Sequence, residues 1–424
     1  MSSPSTTPTV LLIGTCDTKL TELQYTRAQL LSTNTTTSTR VLLLDIGREP
    51  TSHPEIDIPE TPTEAYAAHE RQDYMQKVTE FTTHHVQRLY ESHQIHAILA
   101  LGGSCGTTVA AAAMRDALPI GFPKLMLSTM ASGNIAPYVQ ETDITMMYSV
   151  VDIAGTNSIL TRILDNAAAA AGAMAEAYFH RQQQQPDNRG QQSTRRRRIG
   201  ITMFGVTTPC VDAMQKLLTQ NPKTASEVYI FHATGSGGKA MERLIREGQL
   251  DAVIDLTTSE VVDEKVGGVL SAGPQRLDAA AARGIPQVVS VGACDMVNHG
   301  TRETVPEKFK GRRIFEHNKT VTLVRTSPEE NQKVGEFIAE KLRAATRPDR
   351  VVVVLPMGGV SQLDKDGGPY WDPEADEVLF DTVEKGLKGS GVEVIRREEH
   401  VNDEAFARVL VETLGRLMGC NLIE

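Results

Sequence analysis

Three times along the chain, an apolar run ends in a glycine-rich turn that leads into a helix-forming stretch. Val10–Ile13 runs into Gly14-Thr15-Cys16-Asp17-Thr18-Lys19. Ile98–Leu101 runs into Gly102-Gly103-Ser104-Cys105-Gly106-Thr107-Thr108. Val228–Phe231 runs into His232-Ala233-Thr234-Gly235-Ser236-Gly237-Gly238-Lys239-Ala240. Continuous apolar strands that alternate with helices belong to parallel sheets covered on both faces. The turn itself presents backbone N–H groups at the positive end of a helix, where phosphate or carboxylate binds well.

The alternation continues on both sides of these runs. In the first half, strands are expected near Val10–Gly14, Val41–Asp45, Ala97–Leu101, Lys124–Ser128 and Thr145–Val150. Amphipathic stretches at Glu64–His93 and Thr107–Arg115 and an Ala-rich stretch at Thr156–Arg181 read as helices. Gln182–Arg198 then lacks apolar periodicity and holds four consecutive arginines, so it reads as a mobile linker. Beyond it, strands are expected near Arg198–Phe204, Glu227–Phe231, Ala252–Asp255, Gln287–Val291, Val321–Arg325, Val351–Leu355 and Val392–Arg396. Pro209 and Pro328 sit where a first-turn proline belongs, after Thr208 and Ser327 as caps. The fold class expected is α/β: two Rossmann-like, doubly wound domains with parallel sheets, at 1–181 and 199–424, joined by the linker at 182–198.

Composition narrows the functional classes. A net charge of −10 argues against a nucleic-acid surface. The chain has no apolar run of the roughly 20 residues that a membrane span needs. Met1–Thr9 lacks the basic start and apolar stretch of a signal peptide. The five cysteines, Cys16, Cys105, Cys210, Cys294 and Cys420, are scattered without a C-x-x-C pair. That pattern fits a reduced, cytoplasmic setting and excludes a zinc ribbon.

Ligands in open α/β sheets bind beyond the carboxyl ends of the strands. In the first domain those ends carry two glycine turns and an acid. Gly14, Thr15, Thr18 and Lys19, with Gly102, Gly103, Ser104, Gly106 and Thr107, are the candidate phosphate ligands. Asp17 is the candidate metal ligand, and Asp45 the candidate ribose acceptor. Neither this pattern nor the turn at Lys239 fits Walker A, which needs glycine, four residues, then Gly-Lys-Ser/Thr.

The second domain offers rivals. Gly235–Ala240 fits G-x-G-x-x-A between a strand and a helix, and Asp255 follows twenty residues after Gly235. That is the spacing of an NAD-type dinucleotide site. Its position weakens it, because it follows the second strand of its domain. Cys210 near a helix start, with His232 as base, is a candidate nucleophile. Glu260, with Asp263 and Glu264, reads either as a catalytic acid or as a helix-dipole partner. His299, His317 and His400 show no metal spacing. Trp371 sits in a Gly/Pro-rich loop that could act as a lid.

Several ordered motifs then stand out: Gly14–Lys19, Gly205-Val206-Thr207-Thr208-Pro209-Cys210-Val211, Phe231–Gly235, Gly267–Pro274, Asp295-Met296-Val297-Asn298 and His317-Asn318. On these the chain resembles the Tm-type tomato mosaic virus resistance protein family, in its N-terminal ATP-binding domain, with its uncharacterised bacterial and fungal relatives. The resemblance runs from about Thr9 to the end. It implies two Rossmann-like halves, ATP and Mg2+ as ligands, and a homodimer. The chain departs from the family pattern at Leu20, Cys105, Gly358 and His299; Cys105 narrows a phosphate-cradling loop. The alternatives left open are an enzyme acting on a small carboxylate or carbonyl substrate at the second domain or between the domains, NAD-type binding at Gly235–Asp255, and a pure interaction role.

The linker reading is testable directly. Limited trypsin digestion is expected to cut near Arg195–Arg198 and leave two folded fragments. Resistance of that segment while other loops are cut would refute the linker.

Overall fold

The computed structural model describes residues 5–32, 38–59, 70–184, 196–220 and 226–423. Contacts group the chain into two compact units, Met1–Gln192 and Ser193–Glu424. Most of the expected linker at 182–198 lies outside the described residues; a helix occupies its first positions and runs to Gln184.

Unit 1 alternates strands and helices in the order β1 (Thr9–Gly14), α1 (Cys16–Ser32), β2 (Arg40–Asp45), α2 (Arg71–Glu91), β3 (Ala97–Gly102), α3 (Ser104–Ala117), β4 (Lys124–Ser128), α4 (Ala136–Val139), β5 (Thr145–Tyr148) and α5 (Ser158–Gln184). Its five strands pair in the order β2-β1-β3-β4-β5, all parallel. β1 and β3 are buried along their whole length, as continuous apolar strands in mid-sheet should be. Their residues alternate between two cores. Val10 and Leu12 pack with Leu23, Leu30, Ala167 and Ala171 under α1 and α5. Leu11 and Ile13 pack with Val78, Val86, Ala110 and Met114 under α2 and α3. The Ala-rich face of α5 has a packing role, because side chains no larger than methyl let the helix lie close to the sheet.

Unit 2 contains β6 (Arg198–Met203), α6 (Thr208–Thr219), β7 (Glu227–His232), α7 (Ser236–Arg246), β8 (Ala252–Thr257), α8 (Ser259–Val266), α9 (Asp278–Arg283), β9 (Gln287–Gly292), β10 (Met296–His299), β11 (Ile314–Asn318), β12 (Val321–Arg325), α10 (Pro328–Arg343), β13 (Val351–Pro356), α11 (Pro373–Leu387), β14 (Glu393–Arg397) and α12 (Glu404–Met418). Six of the strands form a parallel sheet in the order β14-β13-β9-β8-β6-β7. Val353 and Leu355 face α10 and α11, whereas Val352 and Val354 face α6 and α12. The mixed α/β class with two parallel sheets is therefore as expected.

One expected strand sits elsewhere. Val321–Arg325 joins a separate antiparallel sheet, β10-β12-β11, rather than the parallel one. Its hairpin with β11 fixes that pair as antiparallel. Asn318 pairs with Val321 across a two-residue connection, and parallel pairing needs a crossover of about a dozen residues or more. A second difference concerns caps. Helix α6 starts at Thr208 with Thr207 as N-cap, one residue before the cap expected at Thr208. Ser327 does cap α10: its Oγ accepts the Glu330 N–H at 3.3 Å, and Glu330 accepts the Ser327 N–H at 2.9 Å. Ser327→Ala is expected to cost about 1 kcal/mol, read as a lower denaturation midpoint with unchanged slope.

Candidate functional site

In unit 1 the strand order reverses direction between β1 and β3, so their carboxyl-end turns open on one crevice. A cleft of about 390 Å³ lies there, lined by Thr15, Asp17, Thr18, Lys19, Arg48, Tyr74, Gly103, Ser104, Cys105 and Gly106. Most of the expected ligands thus converge. Gly103 begins α3, which has neither a side-chain cap nor an acid in its first turn. Lys19 stands where α1 kinks (φ −136°, ψ 24°), and its Nζ donates to the Ile153 carbonyl at 2.6 Å. The Thr15 and Thr18 hydroxyls lie 2.8 Å apart.

Asp17 and Asp45 do different work. Asp45 is buried, and its Oδ1 accepts the Cys16 and Gly47 N–H groups at 2.9 and 2.8 Å, tying the β1–α1 and β2 turns together. Burial pushes its carboxyl up, while those two N–H groups pull it back. Asp45, expected as a ribose acceptor, is not among the residues lining the cleft, and its Oδ2 is buried without a hydrogen-bond partner. Asp17 lines the cleft, with Oδ2 accepting the Arg48 and Glu49 N–H groups at 3.0 and 3.2 Å. Its Oδ1 is buried without a hydrogen-bond partner. Both carboxyls crowd Gly47, where any Cβ would stand within 3.0 Å of them.

Three other expected ligands turn out to be scaffold. Thr107 is buried, and its hydroxyl bonds Ser128 Oγ at 2.6 Å. Gly14 packs on the Leu23 side chain, and Gly102 on the Gly106 backbone. Arg48 and Tyr74 were missed. The guanidinium of Arg48 sits over the Tyr74 ring at 6.0 Å, within cation–π reach. Arg48 was findable, since it follows Asp45-Ile46-Gly47 at a strand end. Tyr74 comes from the first turn of α2 and carries no local signal.

The glycine turn of unit 2 already holds an anion of its own. Glu260 accepts the Gly235 and Gly238 N–H groups at 2.7 and 3.0 Å. A Cβ on Gly238 would stand 2.0 Å from Glu260 Oε2, so glycine here makes room for that carboxylate. Fully buried Arg276 binds Glu260 at 2.8 Å, Asp255 through two bonds of 2.6 Å, and Glu242 at 3.4 Å. Asp255 has no open oxygen for a ribose, and β7 is an edge strand away from the switch point. This geometry corrects the NAD-type reading. Every Glu260 oxygen is engaged by these donors, and burial raises its carboxyl. Cys210 is buried in the core, and burial pushes its thiol far up. His232 is exposed, with its ring 5.6 Å from that of Phe204.

Asp263 accepts the Leu270 and Asn298 N–H groups at 2.8 and 2.9 Å, and burial pushes it up to about 7. Glu264 accepts from the Ser271 hydroxyl. Among the described residues, no group of three or more His, Cys, Asp or Glu is placed to hold a metal. No described helix is long and apolar enough to cross a membrane.

These features define a two-unit doubly wound α/β protein with a switch-point cleft in its first unit. The chain belongs to the uncharacterised protein family UPF0261, whose N-terminal domain matches residues 8–180 and whose C-terminal domain matches 196–418. A UPF0261 protein of Clostridium tetani is 46% identical over 333 residues, covering 78% of each chain. The ToMV resistance protein Tm-1(GCR237) of Solanum lycopersicum is 41% identical over 324 residues, covering 76% of this chain and 42% of that one. The kinship with the Tm-type proteins expected from the motifs is therefore present. Among solved structures, Acinetobacter baumannii MurG matches 67% of this chain and 79% of its own, at 14% identity and a TM-score of 0.22, a likeness too slight to carry an argument.

Arg276→Met would strand three buried carboxylates. A loss of roughly 3–5 kcal/mol is expected, measured by denaturant unfolding.

Proposed function

We propose that unit 1 is a nucleotide-binding module that takes ATP with Mg2+ in the cleft between β1 and β3. The observation that carries this reading is the convergence of both glycine turns on one crevice at the switch point. Its volume falls within the range of about 300–1,000 Å³ usual for small-molecule sites. The α3 start, with no acid of its own, is left for a ligand anion. Lys19 and Arg48 add positive charge along the same wall.

Asp17 fits Mg2+. Its Oδ1 is an orphaned acceptor, and Mg2+ takes one or two carboxylates while keeping waters and phosphate oxygens for the rest. When bound, the ion would neutralise phosphate charge. Asp17 and Lys19 then orient the triphosphate, and the α3 N–H groups hold its end. A catalytic reading of unit 2 draws little support, because Cys210 and Glu260 are both committed to packing and ion pairs. A homodimer belongs to the same proposal and is checked by sedimentation.

Titration calorimetry of ATP with Mg2+ tests the site. Gly103→Val should abolish binding through bulk alone, since its Cβ meets only Thr129 Oγ1 at 3.8 Å. Asp17→Asn should remove the Mg2+ dependence. Lys19→Ala should weaken binding, and Lys239→Ala should leave it intact. Saturation at 100 Kd adds about 2.7 kcal/mol of stability. Protection by NAD and not ATP would overturn the reading, as would loss confined to Lys239→Ala.

A further inference from the structure

A second group of buried acids in unit 2 takes no part in the nucleotide reading. Arg325 of β12 is buried against three aspartates from separate elements. Asp376 of α11 lies 2.7 Å from its guanidinium, and Asp364, in the loop after β13, lies 3.9 Å away. Asp295, in the turn between β9 and β10, is joined to the Asp364 segment through Ser361: its Oδ2 accepts from Ser361 Oγ at 2.7 Å, and that Oγ accepts the Asp364 N–H at 3.3 Å. Each aspartate keeps one buried oxygen without a hydrogen-bond partner: Asp295 Oδ1, Asp364 Oδ1 and Asp376 Oδ2. With all three ionised, one guanidinium would face three negative charges in a site closed to water. Carboxylates in that position keep a proton, as crowded like charges do.

The same arginine holds a loop. Its Nε donates to the Tyr370 carbonyl at 2.8 Å, and a terminal nitrogen donates to the Asp372 carbonyl at 3.3 Å. Arg313 donates to the Trp371 carbonyl at 2.8 Å. Asp364 lies in this loop, and its Oδ2 accepts the Val360 N–H at 2.9 Å. Trp371 is the chain's sole tryptophan.

We propose that residues 364–372 form a pH-gated flap, latched to Arg325 while Asp295 holds a proton and loosened when that proton passes to solvent. Loss of that proton adds a negative charge to the acids gathered at Arg325, of which Asp364 is carried by the flap. No bond between heavy atoms changes. Burial and the charge of Asp364 push Asp295 up to about 7, and burial likewise raises Asp376. The unfolded chain releases such a proton near pH ~4, so stability is fully present below that pH and is lost as pH rises to about 7. Other groups face Asp295. Tyr370 and Cys294 are both pushed up by burial, Arg312 faces Tyr370, and Arg276 faces Cys294. His400 Nε2 lies 2.9 Å from the Ser361 carbonyl.

Tryptophan emission of the full chain, followed from about pH 5.5 to about pH 9, tests the flap. The expected result is one red-shifting transition centred near 7, absent in Asp295→Asn and retained in His400→Gln. Hydrogen exchange on the unaltered chain, corrected for the chemical rate, gives a second measure. The bonded amides of Asp364, Gly368, Tyr370 and Trp371 should lose roughly tenfold protection between the two ends of that range. Flat emission or unchanged protection overturns the proposal. A transition lost in His400→Gln but kept in Asp295→Asn also overturns it, by making the histidine the sensor. If Asp295→Asn fails to fold, the exchange measurement on the unaltered chain decides alone.

Discussion

Backbone N–H groups exposed where a parallel strand turns into a helix must find acceptors, and this chain repeatedly supplies them from its own carboxylates. Asp45 serves Cys16 at the β1–α1 turn and Gly47 after β2, and Glu260 serves Gly235 and Gly238 at the β7–α7 turn; Glu242 likewise serves Leu277 and Ala279 at the start of α9, and Asp263 serves Leu270 in the loop after α8 and Asn298 of β10. Each carboxylate bonds at least one N–H of another segment, so these bonds tie separate parts of a unit together. An unmade bond at such a site costs about 1–3 kcal/mol, which makes these acids structural before they are anything else. The start of α3 is built differently. It opens on a cleft; α7 likewise has no acid in its first turn but takes Glu260 from α8, so the cleft is what sets α3 apart as a candidate ligand site.

The two units share a strand order and use it in opposite ways. Numbered along the chain within each parallel sheet, both run 2-1-3-4-5, and that of unit 2 adds a sixth strand at the far edge. In unit 1 the switch point is hollow. At the corresponding place in unit 2, Thr207 bonds Thr257 at 2.8 Å and Thr202 bonds Asp255 at 2.8 Å, so neighbouring strand ends are stitched together by side chains. One architecture thus gives a crevice in one unit and a bonded surface in the other.

Two arginines each draw three buried acids, with different consequences. Around Arg276 every carboxylate oxygen finds a donor, from guanidinium, hydroxyl or backbone N–H. That network is closed, and it locks α7, β8, α8 and the segment before α9 together. Around Arg325 three oxygens stay unmatched. Both groups set three acids around one guanidinium, and hydrogen-bond satisfaction is what distinguishes them.

Much of this was legible in the residues themselves. Apolar runs such as Val351–Leu355 announce strands buried on both faces, and their alternation with helices defines the doubly wound class, because periodicity is a local property. The cleft walls Thr15, Asp17, Lys19, Gly103 and Ser104 follow from strand ends and turns, which are local too. Other features needed the folded chain. Gly235–Ala240 has the spacing of a dinucleotide turn, yet its anion is Glu260, and the partner of Asp255 is Arg276. Thr107 resembles a phosphate ligand until Ser128 arrives beside it. Val321–Arg325 reads as one more parallel strand until its hairpin with β11 is seen. In each case the local pattern specifies a turn or a strand and the donors it offers. Which acceptor fills those donors is settled by residues distant in the chain, and only tertiary packing brings them within hydrogen-bond range.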